Sequence, residues 1–347
     1  MHSVGINWGC APLPRPRELL KALPLSAEAA RTVTLGREAI RRSADGLDER
    51  LLVIVGPCSV HDGKLLIDYA ERLTALRQQM GDRLLLVLRA HFEKPRTSTG
   101  WKGFLYDPHL DGSNDMAHAL VAMRQLLLTI NEMGLPVGTE FLEPTTPAYI
   151  SDLISWATVG ARTASSQIHR QMASGLPMPV GFKNTPEGDI ETAIQALLTA
   201  RVRHTFPTLD PDGRPALATT QGNSSGYVVL RGGKGRPNTD AIGLTATRLQ
   251  SEGLPGRLII DCSHDNCGRQ PQRQLQLFRH LLDQKLSGDS AIAGLMVESN
   301  LKAGSQHPNS PLTYGVSITD PCIDWDSTQS LLEWAYDALG ASLPVCT

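Results

Sequence analysis

Short aliphatic segments alternate with amphipathic helical segments from residue 51 to the end of the chain. An unbroken aliphatic run is typical of a parallel strand buried on both faces. We predict eight such strands, at 51–55, 84–88, 137–140, 158–162, 180–183, 227–230, 258–260 and 293–297. Because each strand is followed by a helix, or by a loop and a helix, the pattern predicts an α/β fold, a closed (β/α)8 TIM barrel.

A doubly wound, Rossmann-type sheet is the alternative fold. Six strands suffice for that fold, and no G-x-G-x-x-G motif opens a helix after the first strand, so we rank it second. Residues 204–220 interrupt the alternation with two short segments that flank Asp210-Pro211-Asp212-Gly213. This turn signal predicts an inserted β-hairpin.

The predicted organisation is an extension followed by one barrel. Residues 1–48 begin with a proline-rich stretch and continue into helix-forming residues at 27–42, which carry only a weak apolar stripe. We expect this amino-terminal extension to make oligomer or regulatory contacts, and residues 49–347 to form the barrel with its hairpin at about 204–220.

The amino-acid composition argues against nucleic acid and membranes as binding partners. The net charge of −2 gives no global basic field that would attract nucleic acid or an anionic membrane. No stretch of about 20 apolar residues and no signal-peptide pattern is present. The six cysteines lack C-x-x-C spacing, as is typical of reduced thiols. We therefore expect a cytoplasmic protein that binds neither nucleic acid nor membrane.

A basic segment follows the second predicted strand. It runs from Arg89 to Gly103 and contains Lys94, Arg96 and Lys102. Guanidinium forks and ammonium groups at the end of a buried strand are suited to phosphate and carboxylate oxygens. For this segment taken alone, a solvated basic loop is the equally good alternative.

Cations also follow other predicted strands, and the carboxyl ends of the strands are where a barrel of this type places its functional side chains. These cations are Arg89, Lys94, Arg96, Arg162, Lys183 and Arg231. Glu140 alone would not neutralise their combined charge. Unpaired cations at a packed barrel mouth are costly. Each residue singly is better interpreted as part of a structural ion pair. Together they predict a pocket for two phosphorylated substrates, one of which also carries a carboxylate.

A second group of polar residues follows neighbouring strands. Cys58 follows the first strand, His264 the seventh and Glu298 the eighth, and Asp320 in the last loop would complete the group. A thiolate, an imidazole and two carboxylates predict a site for one divalent transition metal ion. Taken singly, Cys58 is more often a buried small hydrophobe and His264 more often structural.

Ordered motifs along the chain resemble those of one enzyme family. They are Gly56-Pro57-Cys58-Ser59, Lys94-Pro95-Arg96-Thr97, Gly100-Trp101-Lys102-Gly103, Gly160-Ala161-Arg162, Gly181-Phe182-Lys183-Asn184, Leu230 to Lys234, Asp261 to His264, Val297-Glu298-Ser299 and Ile318-Thr319-Asp320. The set resembles type I 3-deoxy-D-arabino-heptulosonate 7-phosphate (DAHP) synthase, whose bacterial and fungal form has an amino-terminal extension and a hairpin insertion.

The resemblance implies condensation of phosphoenolpyruvate with D-erythrose 4-phosphate, which releases phosphate in the first step of the shikimate pathway. It implies one divalent ion, Mn, Fe, Co or Zn, on Cys58, His264, Glu298 and Asp320. Phosphoenolpyruvate would lie among Arg89, Lys94, Arg162, Lys183 and Arg231, with Glu140 nearby, and Arg96 and Thr97 would hold the aldose phosphate. The implied catalytic residues are Lys94, His264 and Cys58, with Lys94 or His264 relaying protons. We expect a homodimer or homotetramer.

Departures from the family pattern leave the implied catalytic positions intact. Relatives that sense phenylalanine commonly have Ser-Cys-Pro where this chain has Pro177-Met178-Pro179, and the segments 143–146 and 184–188 also differ. Our hypothesis is that aromatic amino acids do not inhibit this enzyme. The alternative functions are the sister barrel 3-deoxy-manno-octulosonate 8-phosphate synthase and a catalytically silent regulatory homologue.

Overall fold

Eight parallel strands form a closed barrel in the computed structural model of the protein, which describes residues 9–308 and 311–341. The barrel strands are β1 (Leu51–Gly56), β2 (Leu84–Arg89), β3 (Val137–Glu140), β4 (Trp156–Val159), β5 (Val180–Lys183), β8 (Gly226–Leu230), β9 (Leu258–Asp261) and β10 (Ile292–Glu298). β1 pairs with both β2 and β10, which closes the barrel. The TIM-barrel prediction is therefore confirmed.

An antiparallel hairpin lies between two barrel strands. Its strands are β6 (Thr205–Leu209) and β7 (Pro215–Thr219), and β5 pairs directly with β8 in the barrel. The predicted insertion at 204–220 thus interrupts the chain without interrupting the barrel.

Helices cover the outside of the barrel and its amino-terminal end. They are α1 (Pro16–Ala22), α2 (Ala27–Ala44), α3 (Gly63–Met80), α4 (Met116–Glu132), α5 (Pro147–Ile150), α6 (Gln167–Ser174), α7 (Glu191–Ala200), α8 (Ile242–Ser251), α9 (Pro271–Leu286) and α10 (Trp325–Ala341). Among the described residues, no helix combines the length and the apolarity needed to cross a lipid bilayer.

The continuous aliphatic runs of the strands reflect burial on both faces. In β1, Leu52 and Ile54 belong to the cluster inside the barrel, whereas Leu51, Val53 and Val55 belong to the larger cluster under the helices. Since neither face meets water, the strand carries no polar alternation.

Helix α2 closes the amino-terminal end of the barrel. Ile40 and Ala44 join the interior cluster, and the Tyr227 hydroxyl donates a hydrogen bond to the Ile40 carbonyl at 2.7 Å. A Cβ on Gly36 would lie 2.7 Å from Oγ of Ser155, so the close approach of this helix requires glycine. Residues 1–8 of the predicted extension and 342–347 of the predicted barrel segment lie outside the described residues.

Both boundaries of one strand were wrong. The fourth strand was predicted at 158–162 but begins at Trp156, because Trp156 is buried inside the barrel and pairs with Gly138 of β3. The strand ends at Val159, so Arg162 lies on the following turn rather than at the strand end.

Candidate active site

A cavity of about 150 Å³ opens at the carboxyl ends of the barrel strands. The predicted site residues that line it are Arg89, Lys94, Arg96, Glu140, Arg162, Lys183, Arg231, His264 and Asp320. Cys58 and Glu298 are buried behind this wall, at 0% and 1% exposure, and Thr97 lies on the exposed loop. The fold therefore gathers the predicted residues at one end of the barrel.

Three of the predicted metal ligands converge. The candidate ligand atoms of Cys58, Glu298 and Asp320 all lie within 4.8 Å of one another. Nε2 of His264 lies 3.7 Å from Oε1 of Glu298, so the imidazole sits at the edge of this group. The convergence follows from strand order, because β10 pairs with β1 on one side and with β9 on the other.

The carboxylate of Glu298 retains free acceptor positions. Neither oxygen accepts a well-aligned hydrogen bond from the described residues, although Oε1 lies 2.9 Å from Nη2 of Arg89 in a buried ion pair. Buried polar atoms are normally hydrogen-bonded. The open acceptors, next to a thiol and a second carboxylate, fit a divalent metal ion.

The turn after β1 holds Cys58 against two cations. Gly56 has a φ of +156°, and a Cβ there would lie 2.5 Å from the Arg89 carbonyl oxygen, so this approach requires glycine. Nη1 of Arg89 donates to the carbonyl oxygens of Pro57 and Cys58. Nζ of Lys94 donates to Sγ of Cys58 at 3.0 Å.

Burial opposes ionisation of this thiol. Burial, followed by the negative charge of Glu298, raises the pKa of Cys58 to about 11. Burial also lowers the pKa of Lys94, but the charges of Cys58, Glu298 and Asp320 outweigh that effect and raise the pKa overall. The ammonium group and a coordinated metal would both favour the thiolate, which is the form that binds metals.

His264 is oriented by its neighbours in the segment after β9. Nδ1 of the imidazole lies 2.8 Å from Oδ2 of Asp261 and 2.7 Å from Oγ of Ser263. Burial acts to raise the pKa of Asp261, but positive charge on His264 and Lys183 outweighs it and holds that pKa well below its ordinary value. The second ring nitrogen is left facing Glu298.

Most of the deeper cations have carboxylate partners. Nζ of Lys183 lies 3.6 Å from both Oε2 of Glu140 and Oδ2 of Asp261. Nη1 of Arg231 lies 2.8 Å from Oδ2 of Asp265. Besides Glu140, Asp261 and Asp265 therefore also point toward these cations.

Positive charge still exceeds negative charge around the cavity. Its cations are Arg89, Lys94, Arg96, Arg162, Lys183, Arg231 and Arg269, and the carboxylates are Glu140, Asp261, Asp265, Glu298 and Asp320. The seven cations outnumber the five carboxylates, and this excess of positive charge suits anionic ligands.

The outer rim of the cavity is exposed and polar. Nε of Arg162 donates to Oγ1 of Thr97 at 2.8 Å, and Nε of Arg96 donates to the Trp101 carbonyl at 2.7 Å. The first contact joins the turn after β4 to the basic loop after β2, and the second lies within that loop. The free guanidinium nitrogens of both arginines remain available to a ligand phosphate.

Sequence reasoning missed Asp261, Asp265 and Arg269. All three lie within five positions of His264, so the signal was a cluster of charges in one strand-end segment. Arg269 lines the cavity, and its Nη1 lies 3.6 Å from Oδ1 of Asp320.

Known proteins share both the sequence and the fold. Residues 26–333 match the model of the DAHP synthetase I family. The chain is 46% identical over 332 residues to the Trp-sensitive phospho-2-dehydro-3-deoxyheptonate aldolase of Enterobacter agglomerans, covering 94% of this chain and 95% of that protein. It is 44% identical over 332 residues to the Tyr-sensitive enzyme of Escherichia coli K12, covering 94% and 93%.

The solved structure of phospho-2-dehydro-3-deoxyheptonate aldolase from Francisella tularensis superposes with a TM-score of 0.94. Its sequence is 38% identical, and the match covers 98% of this chain and 100% of that chain. The family match and these relatives extend over nearly the whole barrel. The chain therefore belongs to the DAHP synthetase I family.

Proposed function

We propose that the mouth of the barrel is the active site of a DAHP synthase. The reaction is the condensation of phosphoenolpyruvate with D-erythrose 4-phosphate, which gives DAHP and phosphate in the first step of the shikimate pathway. One observation carries the assignment of the site: a buried metal-ligand group touches the cation-lined cavity, where Nζ of Lys94 donates to Sγ of Cys58. Substrate anions and metal ion would meet there.

The proposed ligands of one divalent ion are Cys58, His264, Glu298 and Asp320. Thiolate and imidazole donors favour a transition ion such as Mn, Fe, Co or Zn over Mg or Ca. When bound, such an ion supplies a Lewis acid for the carbonyl oxygen of the aldose. The ammonium of Lys94 and the guanidinium of Arg89 offset the negative charge of these ligands.

Phosphoenolpyruvate carries both a phosphate and a carboxylate, so its proposed ligands are the cations of the deeper wall. Arg89, Lys94, Lys183 and Arg231 are each less than 10% exposed, and charge pairing is stronger there than at the surface. Arg162 completes this set, and Glu140 holds Lys183 in place.

The aldose phosphate is assigned to the exposed rim. Arg96 and Thr97 follow Lys94 by two and three residues, so the two phosphate-binding groups share one loop. The hydrogen bond from Arg162 to Thr97 supports a position for Arg162 between the two substrates. This arrangement would hold the nucleophilic carbon of one substrate against the aldehyde of the other.

In the reaction, C3 of phosphoenolpyruvate attacks the aldehyde carbon, water adds to the positive C2, and phosphate leaves. Lys183 and Arg231 would stabilise charge on the departing phosphate. Lys94, through Nζ, and His264 are the two candidate proton carriers, since both residues line the cavity. His264 could carry a proton on Nε2 only while that nitrogen is not bound to the metal.

Phosphate release from phosphoenolpyruvate and a panel of aldose phosphates tests the function, with and without a chelator. We expect release to require erythrose 4-phosphate, to stop with chelator and to return with a transition ion. A preference for arabinose 5-phosphate would identify the sister enzyme instead. No release with any aldose would identify a silent homologue.

We further propose that aromatic amino acids do not inhibit this enzyme. The support is the sequence of the segment before β5, where Pro177-Met178-Pro179 replaces the pattern common in phenylalanine-sensing relatives. Turnover measured with phenylalanine, tyrosine and tryptophan in separate assays should stay unchanged. Strong inhibition by any of them would refute this proposal.

We also propose a cytoplasmic homodimer or homotetramer to which residues 1–48 contribute contacts. Leu35 on α2 is 58% exposed, and Cys58, Cys262, Cys267 and Cys322 are free thiols, as in reducing compartments. Sedimentation of the full chain should show a dimer or tetramer, which Leu35→Glu should weaken. A monomeric wild-type chain would contradict the proposal.

A further inference from the structure

Three potential metal ligands lie together outside the active site. His109 belongs to the loop between β2 and α4, Asp115 precedes α4, and His118 lies in its first turn. One ligand atom from each residue lies within 4.8 Å of the others. None of the three lines the active-site cavity.

The aspartate contacts both histidine residues, one through its ring and the other through its backbone. Oδ1 of Asp115 accepts a hydrogen bond from the backbone nitrogen of His118 at 3.1 Å and so caps α4. Its other oxygen, Oδ2, lies 3.5 Å from Nε2 of His109. The centroids of the two imidazole rings are 4.9 Å apart. Capping therefore orients the carboxylate toward the histidines before any ion arrives.

The spacing is close to that of a coordinated ion. Ligand atoms at tetrahedral zinc lie about 2.0–2.1 Å from the metal, which separates them from one another by roughly 3.3 Å. The contact between His109 and Asp115, at 3.5 Å, already meets this separation. His118 must close a gap of at most about 1.5 Å, which its exposed side chain can do by rotating about its χ angles.

The donor set selects the class of ion. Two imidazoles and one carboxylate, with remaining positions open to water, bind Zn²⁺ and similar transition ions, whereas Mg²⁺ and Ca²⁺ prefer oxygen ligands alone. The positive end of the α4 dipole opposes a cation, but the charge of Asp115 lies between that helix end and the site. The side chains of His109 and Asp115 are 42% and 45% exposed, so little hydration is lost on binding.

We propose that His109, Asp115 and His118 form a second divalent-metal site, of the zinc class, that fastens the loop after β2 to the first turn of α4. The site is independent of the catalytic ligands and of the proposed function. It joins a loop residue to a helix six to nine positions later, so its occupancy should stabilise this part of the fold.

Metal counting on the full chain tests the proposal. Chelator-treated protein is dialysed against Zn²⁺, and bound zinc is measured by atomic emission for wild type, His118→Ala, Asp115→Asn and His280→Ala. Asparagine caps helices as well as aspartate does, so Asp115→Asn removes the charge and keeps the helix start. His280, an exposed histidine on α9, is the matched control.

We expect His118→Ala and Asp115→Asn each to bind one zinc fewer than wild type, and His280→Ala to bind the same number. Zinc should also raise the melting temperature of wild type more than that of His118→Ala. The same loss should appear in a Cys58→Ser background, which separates this site from the catalytic one. Equal zinc content in wild type and both site variants would overturn the proposal.

Discussion

Oδ2 of Asp261 lies 2.8 Å from Nδ1 of His264, and Nε2 of the same imidazole lies 3.7 Å from Oε1 of Glu298. The buried carboxylate and the hydroxyl of Ser263, which lies 2.7 Å from Nδ1, hold the ring so that its second nitrogen faces the metal-ligand group. Outer partners of this kind set the tautomer and the orientation of a metal-binding histidine. Asp261 is therefore a positioning residue for the proposed metal site.

We expect Asp261→Asn to weaken metal binding by about 10–100-fold, because asparagine keeps the size but loses the charge that orients His264. Phosphate release by the metal-free variant, titrated with Mn²⁺, measures the metal concentration for half-maximal activity. Excess metal should partly restore turnover. Asp326→Asn at the exposed start of α10 is the control, and an unshifted titration of Asp261→Asn would contradict the role.

The ion pair between Arg231 and Asp265 predicts that the carboxylate of Asp265 competes with phosphoenolpyruvate for the guanidinium of Arg231. Oδ2 of Asp265 lies 2.8 Å from the guanidinium that is assigned to phosphoenolpyruvate. If substrate must displace this carboxylate, Asp265→Asn should lower KM for phosphoenolpyruvate by about fivefold, the equivalent of roughly 1 kcal/mol. The KM for erythrose 4-phosphate should not change. A raised KM for phosphoenolpyruvate would show instead that Asp265 positions Arg231 for binding.

A buried carboxyl beside the active-site loop predicts a pH effect on stability. Burial raises the pKa of Glu93 to about 8, from an ordinary value of 4.5, while Oε2 accepts a hydrogen bond from the backbone nitrogen of Glu143. A raised folded-state pKa contributes stability that is present below the unfolded value and is lost as pH rises through about 8.

Glu93→Gln should remove this dependence, since glutamine can still accept the Glu143 hydrogen bond and does not titrate. Between about pH 6 and pH 9, wild type should lose on the order of 3 kcal/mol relative to the variant. Urea unfolding at both pH values measures the difference, with exposed Glu333→Gln as the control. Parallel pH profiles for wild type and Glu93→Gln would refute the account.

The barrel was predictable because most of its strands are short aliphatic runs that can be recognised in the sequence. Runs such as Leu51–Gly56 are aliphatic on both faces, which is the pattern of a parallel strand with neither face in water, and eight predicted strands favour a barrel. The fourth strand was misplaced because Trp156 and Ala157, which begin it, do not form an aliphatic run. Its start depends on pairing with β3, which local sequence does not encode.

The site was only partly predictable. Strand ends identified Cys58, Lys183 and Glu298, since topology alone brings strand ends together. Asp261 was missed because the strand was predicted to end at residue 260, one residue before it. Asp265 was missed because the direction of a loop side chain was not predictable. The cluster at His109 was missed because a loop turn, not a sequence motif, joins it to α4.

The central claim is that Cys58 belongs to a metal site that the reaction requires. Bound metal and phosphate release, measured together for Cys58→Ser and Cys262→Ser, test it most directly. Both thiols are 0% exposed, but Cys262 packs in the core under the helices, so it controls for the loss of a buried thiol. We predict that Cys58→Ser remains folded, loses its metal and loses turnover by more than about 100-fold, whereas Cys262→Ser retains both. Full metal content and full turnover in Cys58→Ser would contradict the account.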